Sequence, residues 1–162
     1  YWPGRAGILD IGGSRWLPTG DIGFLDDRGF LHLSDRSKDV IISGGTNIYS
    51  RELEDVLIAH PLVNEVAVVG MPQEEWGEEV IAVISVASEN PGLHEDLDQL
   101  CKENLAAFKR PRGYLIAEEL PKNAYGKIEK HRIREYLAQE RDRLQRPSGT
   151  RGTDGRTPEL FA

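Results

Sequence analysis

A small α+β domain is the fold expected of this chain, because three patterns follow one another within a single stretch. Two runs rich in valine and isoleucine, residues 63–71 and 79–87, flank a turn-prone segment containing Pro72 and Gly77 and read as neighbouring strands. Leu93, Leu97, Leu100, Cys101 and Leu105 then recur at three-to-four spacing, as on a helix with one buried face. Tyr114-Leu115-Ile116-Ala117 supplies a third strand. A three-stranded sheet covered by helices is the layer arrangement that these pieces allow.

The remaining elements are placed around that sheet. Asp26-Asp27-Arg28-Gly29 sits between Ile22-Gly23-Phe24-Leu25 and Phe30-Leu31-His32-Leu33, a hairpin signal. Val40-Ile41-Ile42 is a further short apolar run, followed by Gly44-Gly45, where the backbone can take positive φ or lie close to a ligand. Ser50 is positioned to cap a helix, Glu52 suits its first turn, and Leu53, Val56 and Leu57 form its apolar face before Pro61 stops it. After the loop from Pro121 to Gly126, Ile133, Tyr136 and Leu137 mark a last helix.

The α+β domain is therefore expected over residues 38–140. Residues 1–37 have hairpin character but too few apolar side chains for a core of their own, so they are expected to close a large N-terminal domain missing from this sequence. Residues 141–162 are mainly Arg, Gly, Thr, Pro and Asp without apolar periodicity and are expected to be a disordered tail.

Charge and cysteine usage exclude several function classes. A net charge of -7 argues against nucleic-acid binding, which requires a basic face. Lys122, Lys127, Lys130, His131, Arg132 and Arg134 nonetheless form a basic cluster, either a local field for an anionic ligand or a solvated helix face. No apolar run is long enough to span a membrane and no secretory signal is legible, so a cytoplasmic location is expected. Cys101 is the single cysteine, which rules out an internal disulfide and leaves too few thiolates for a zinc site. Its expected place is in the apolar packing of a helix.

Four stretches carry a more specific signal. They are Trp16-Leu17-Pro18-Thr19-Gly20-Asp21; Asp35-Arg36-Ser37-Lys38-Asp39 followed by Ile41-Ile42-Ser43-Gly44-Gly45; His60-Pro61-Leu62-Val63 followed by Val68-Val69-Gly70; and Pro121-Lys122 followed by Gly126-Lys127-Ile128. In this order and spacing, over residues 16–137, they resemble the adenylate-forming superfamily of acyl-CoA synthetases, luciferases and peptide-synthetase adenylation domains. Asp35 and Ser50 depart from it, standing where many relatives have glycine and proline.

The resemblance implies the C-terminal portion of an AMP-forming acyl-CoA synthetase, which joins a carboxylic acid to ATP as an acyl-adenylate and then transfers the acyl group to CoA. Asp21 matches the aspartate that receives the two ribose hydroxyls of ATP, a task suited to a carboxylate with two acceptor oxygens. Arg36 matches an arginine at the ribose or phosphate, and Lys38 the hinge about which the small domain rotates. Lys127 matches the catalytic lysine that bridges the substrate carboxylate and the α-phosphate, where positive charge offsets the repulsion of two anions. Gly44 and Gly45 match the loop beside the pantetheine channel, and Trp76, Phe108 and Arg110 fall where some relatives contact CoA.

Magnesium is implied on the ATP phosphates, with its ligands in the N-terminal part and no metal site among these residues. The N-terminal domain is the expected protein partner, and oligomeric assembly stays open. Two other readings remain: an adenylation domain that loads a phosphopantetheine carrier protein, and a binding module without chemistry.

Overall fold

A computed structural model describes residues 8–86 and 90–139. The chain divides into two compact units, residues 1–38 and residues from 39 onward. The expectation for residues 141–162 lies outside the described residues.

Within the first unit two antiparallel hairpins follow each other. Strands β1 (Leu9–Ile11) and β2 (Ser14–Trp16) pair, as do β3 (Asp21–Leu25) and β4 (Leu31–Arg36). The second is the hairpin expected around residues 26–29. Its loop is organised by Asp26, whose Oδ1 accepts the N–H groups of Arg28 and Phe30 at 3.0 and 2.9 Å, while Gly29 takes a φ of 81°. Turn glycines and Asx turns meet that geometry cheaply. None of the described residues of this unit is buried, and Phe24, Phe30, Leu31 and Leu33 are all about 60% exposed.

The second unit is built on a five-stranded sheet. Strand β5 (Ile41–Ser43) turns through Gly44-Gly45 into β6 (Thr46–Ile48), a partner strand that lacks any apolar run to announce it. Helix α1 (Ser50–Leu57) leads to the long antiparallel pair β7 (Val63–Gln73) and β8 (Gly77–Val86). Helix α2 (Leu93–Asn104) and a single 3-10 turn (Ala107–Lys109) then return the chain to β9 (Gly113–Ala117), which runs parallel to β8. A parallel pair requires a crossover of this kind. Helix α3 (Lys130–Gln139) is the last described element.

The expected three strands are thus β7, β8 and β9, with β8 central. The β5–β6 hairpin joins the start of β8 through the single pair Ser43 and Gly77. Burial on both faces explains why β7 and β8 read as continuous apolar runs rather than as alternation. Val66, Val68, Val80, Ala82, Ile84 and Tyr114 pack with Leu53 and Leu57 of α1 and Leu93, Leu97 and Cys101 of α2. Ala67, Val69, Met71, Ile81, Val83 and Leu115 face the other way, onto Ile133 and Leu137 of α3. Cys101 lies in the first of these cores, as expected.

Ser50 corrects one expectation. It is the first helical residue of α1 and is fully buried, while Tyr49 occupies the capping position and makes no side-chain cap bond. The Ser50 hydroxyl instead accepts a hydrogen bond from Lys130 Nζ at 2.7 Å. First helical positions suit proline, consistent with the residue that many relatives carry there.

Candidate functional site

The β3–β4 register sets Asp21 directly opposite Arg36. Arg36 Nε stands 3.2 Å from Asp21 Oδ1, so the two residues expected at the nucleotide are held as a pair. Gly20 and Ser37 extend the pairing, with Ser37 N–H donating to the Gly20 carbonyl at 2.7 Å. Both side chains remain open to solvent, at 30% and 47% exposure, so the guanidinium orients the carboxylate without sealing it. Lys38, the expected hinge, is exposed and is the last residue of the first unit. Asp39 directly after it is tied to α3 by Arg134, 3.1 Å away.

The glycine pair expected at the thiol channel forms a two-residue hairpin turn, with φ of 57° at Gly44 and 76° at Gly45. Gly44 N–H donates to the Trp76 carbonyl at 2.8 Å, and the Trp76 ring lies so close that a Cβ at Gly44 would meet it at 2.9 Å. Structure therefore brings Gly44, Gly45 and Trp76 together, with about half of Trp76 left exposed. Phe108 and Arg110 stand on a separate segment. Phe108 is 54% exposed in the 3-10 turn, whose neighbour Lys109 is anchored to Glu52 of α1 at 2.7 Å. Arg110 donates from Nε to the Leu105 carbonyl and from Nη2 to the Lys102 carbonyl, satisfying the end of α2.

Lys127 projects from the loop between β9 and α3. Around it the basic cluster is largely compensated. Lys122 meets Glu65 at 2.6 Å, Lys130 meets Glu54 at 2.7 Å, Arg134 meets Asp39, and Arg132 lies 3.8 Å from Glu129. The Glu65 carboxylate holds the Lys122 pKa above the ordinary lysine value. Lys127 is exposed and makes no ion pair among the described residues. Its ammonium is therefore presented outward, while most of its cationic neighbours are spent on the domain's own carboxylates.

Residues 52–127 match the family model described as the AMP-binding enzyme C-terminal domain. Residues 52–127 are thus similar to that domain. Over 135 residues it is 44% identical to a long-chain-fatty-acid–CoA ligase of Mycobacterium tuberculosis, covering 83% of this chain and 27% of that protein. The structure of o-succinylbenzoate-CoA synthetase from Bacillus subtilis, in complex with its acyl-adenylate intermediate, superposes with a TM-score of 0.68 at 40% identity, covering 78% of this chain and 25% of that one. An amide bond synthetase from Marinactinospora thermotolerans superposes at 0.69 with 39% identity, covering 78% and 26%. The chain spans about a quarter of the length of the relatives it matches.

Three features of residues 39–139 escaped the sequence. Lys130, read only as part of the basic cluster, reaches Ser50 and Glu54, and Glu54 Oε1 also accepts the Val68 N–H at 2.8 Å, so α3, α1 and β7 are joined by one polar knot. Glu78 Oε2 accepts the Ile42 N–H at 2.7 Å and ties the β5–β6 hairpin to β8. Asn123 grips the backbone of Lys127. The first two are long-range pairings with no local signature; Asn123 has one, an Asx residue three places before a glycine, as in the loop at Asp26. No helix of the described residues is long and apolar enough to cross a membrane.

Proposed function

We propose that these residues form the mobile part of an AMP-forming ligase that activates a carboxylic acid with ATP and passes the acyl group to the thiol of CoA. The observation that carries this reading is the exposed Lys127, without an ion pair among the described residues, at the end of the stretch that matches the AMP-binding enzyme C-terminal domain. Adenylation brings a carboxylate against a triphosphate, and an ammonium between them stabilises the charge that builds on the α-phosphate. A lysine already neutralised by its own domain would have to break that pair first. Lys127 does not.

In this reading Asp21 receives the ribose hydroxyls, and Arg36 both orients that carboxylate and offers positive charge to the nucleotide. Lys38 is the pivot: an exposed polar residue absorbs a backbone rotation without disturbing a core. Rotation withdraws Lys127 and presents the Gly44-Gly45 turn, where two residues without side chains leave a narrow path for a thiol. Trp76 walls that turn, and Phe108 offers a further exposed aromatic face for the CoA adenine. Arg110, engaged at the end of α2, contributes a fixed positive charge at the edge of the same function. Magnesium would neutralise the ATP phosphates, but no cluster of three or more His, Cys, Asp or Glu side chains among the described residues fits it, and no step here runs through it. A cytoplasmic location agrees with this reading, since ATP and CoA are both at hand there.

Similarity to an amide bond synthetase favours a second reading for the last step alone, with an amine as the acyl acceptor. Offering CoA, a phosphopantetheine carrier protein and a simple amine to the preloaded full-length enzyme distinguishes the acceptors. For the first step, Lys127→Ala in that enzyme is expected to slow acid-dependent pyrophosphate exchange by about a hundredfold to a thousandfold, the usual scale for losing one transition-state charge donor. Thioester formation from supplied acyl-adenylate should persist. Unchanged pyrophosphate exchange would refute the assignment.

A further inference from the structure

We propose that Asn123 is the positioning residue of Lys127, holding the loop in the one shape that projects the ammonium. Three hydrogen bonds carry the inference. Asn123 Oδ1 accepts the Tyr125 N–H at 2.9 Å and the Lys127 N–H at 3.0 Å, and Asn123 N–H donates to the Lys127 carbonyl at 2.9 Å. Both backbone polar groups of the lysine are thus taken by one residue. Gly126 completes the turn at φ of 78°, its N–H donating to the Asn123 carbonyl at 2.9 Å.

The same device occurs in the first unit, where no reactive side chain follows it. Asp26 Oδ1 accepts from residues two and four places on, Asp26 N–H donates to the carbonyl four places on, and a glycine of φ 81° stands three places on. That repetition shows that an Asx side chain with a glycine three places on can form the same loop in two different surroundings. In the second loop the position occupied by Phe30 in the first is occupied by Lys127. The base of this loop is fixed independently, by the bridge between Lys122 and Ile128, the Glu129 N–H to the Pro121 carbonyl at 2.8 Å, and the lysine–carboxylate pairs at Lys122 and Lys130. Removal of the Asn123 side chain would therefore loosen the tip while leaving the base attached.

The inference rests on Lys127 being the adenylation lysine, and one panel of full-length variants separates the two. Lys127→Ala tests the parent assignment. Asn123→Ala is expected to lower kcat for acid-dependent pyrophosphate exchange by about tenfold to a hundredfold, the scale of a misplacement near 1 Å, with KM for ATP little changed. Thioester formation from supplied acyl-adenylate should be unaffected, as should the melting temperature of the core. Asn123→Asp keeps the acceptor that Asp26 uses and should recover exchange relative to Asn123→Ala. Full exchange activity in Asn123→Ala, an equal loss in both half-reactions, or an Asn123→Asp variant no faster than Asn123→Ala would each overturn the proposal. If Lys127→Ala itself exchanges normally, the parent assignment fails instead.

Discussion

At the scale of single residues, Gly44 shows how local strain and tertiary contact combine. A side chain there must adopt φ near 57° and displace the Trp76 ring, whereas at Gly45, with φ of 76°, an added Cβ has nothing within 4 Å. Gly45→Ala therefore incurs backbone strain alone, about 1–2 kcal/mol. Gly44→Ala incurs that strain plus loss of the Trp76 packing and should unfold at clearly lower denaturant concentration than Gly45→Ala. Equal stability of the two variants would contradict the contact. Both glycines and Trp76 were singled out through the family resemblance, which sets the glycines beside the pantetheine channel and Trp76 where some relatives contact CoA. It did not show that Trp76 is what makes Gly44 obligatory, since 32 residues separate them. Arg110 shows the reverse case: its type suits phosphate recognition, yet it donates to the carbonyls of Lys102 and Leu105 at the end of α2.

At the scale of elements, strong periodicity was legible and weak pairing was not. Strands β7, β8 and β9 and helix α2 were readable because buried valine, isoleucine and leucine repeat along them. Thr46–Ile48 has a single buried residue, Ile48, and becomes a strand only because the Gly44-Gly45 turn folds it back on β5. That hairpin is held to the main sheet by few bonds, and Glu78 supplies one of them. Gly70 makes the arrangement feasible: a Cβ there would lie 2.8 Å from Glu78 Oε1. Glu78→Ala removes the acceptor of the Ile42 N–H and should cost the hairpin about 1–2 kcal/mol. Hydrogen exchange measured residue by residue should then speed at Ile42 while protection across Val80 to Ile84 holds. Glu78→Gln retains an acceptor oxygen and should exchange almost as slowly as the parent. Uniform loss of protection through β8 would mean that Glu78 supports the whole sheet instead.

At the scale of the whole molecule, the two units differ in what holds them. Both apolar cores lie entirely between Ile41 and Leu137, on the two faces of one sheet, whereas the described residues of the first unit contribute no buried side chain. Residues 39–139 should therefore fold alone, at a length ordinary for a domain. Expressed by themselves, they should unfold in a single cooperative transition by far-UV circular dichroism. Leu97, fully buried between α2 and the sheet, provides the internal check: Leu97→Ala should destabilise this piece by about 2–5 kcal/mol, as cavity-forming substitutions do. Residues 1–38 alone should show no cooperative transition, because exposed hairpins do not bury enough apolar surface to offset their chain entropy. A piece spanning 39–139 that melted without cooperativity would show that its core depends on further protein. The rigid-body rotation proposed about Lys38 would then lose its physical basis, since a pivot can move a domain as one body only if that domain keeps its own packing through the swing.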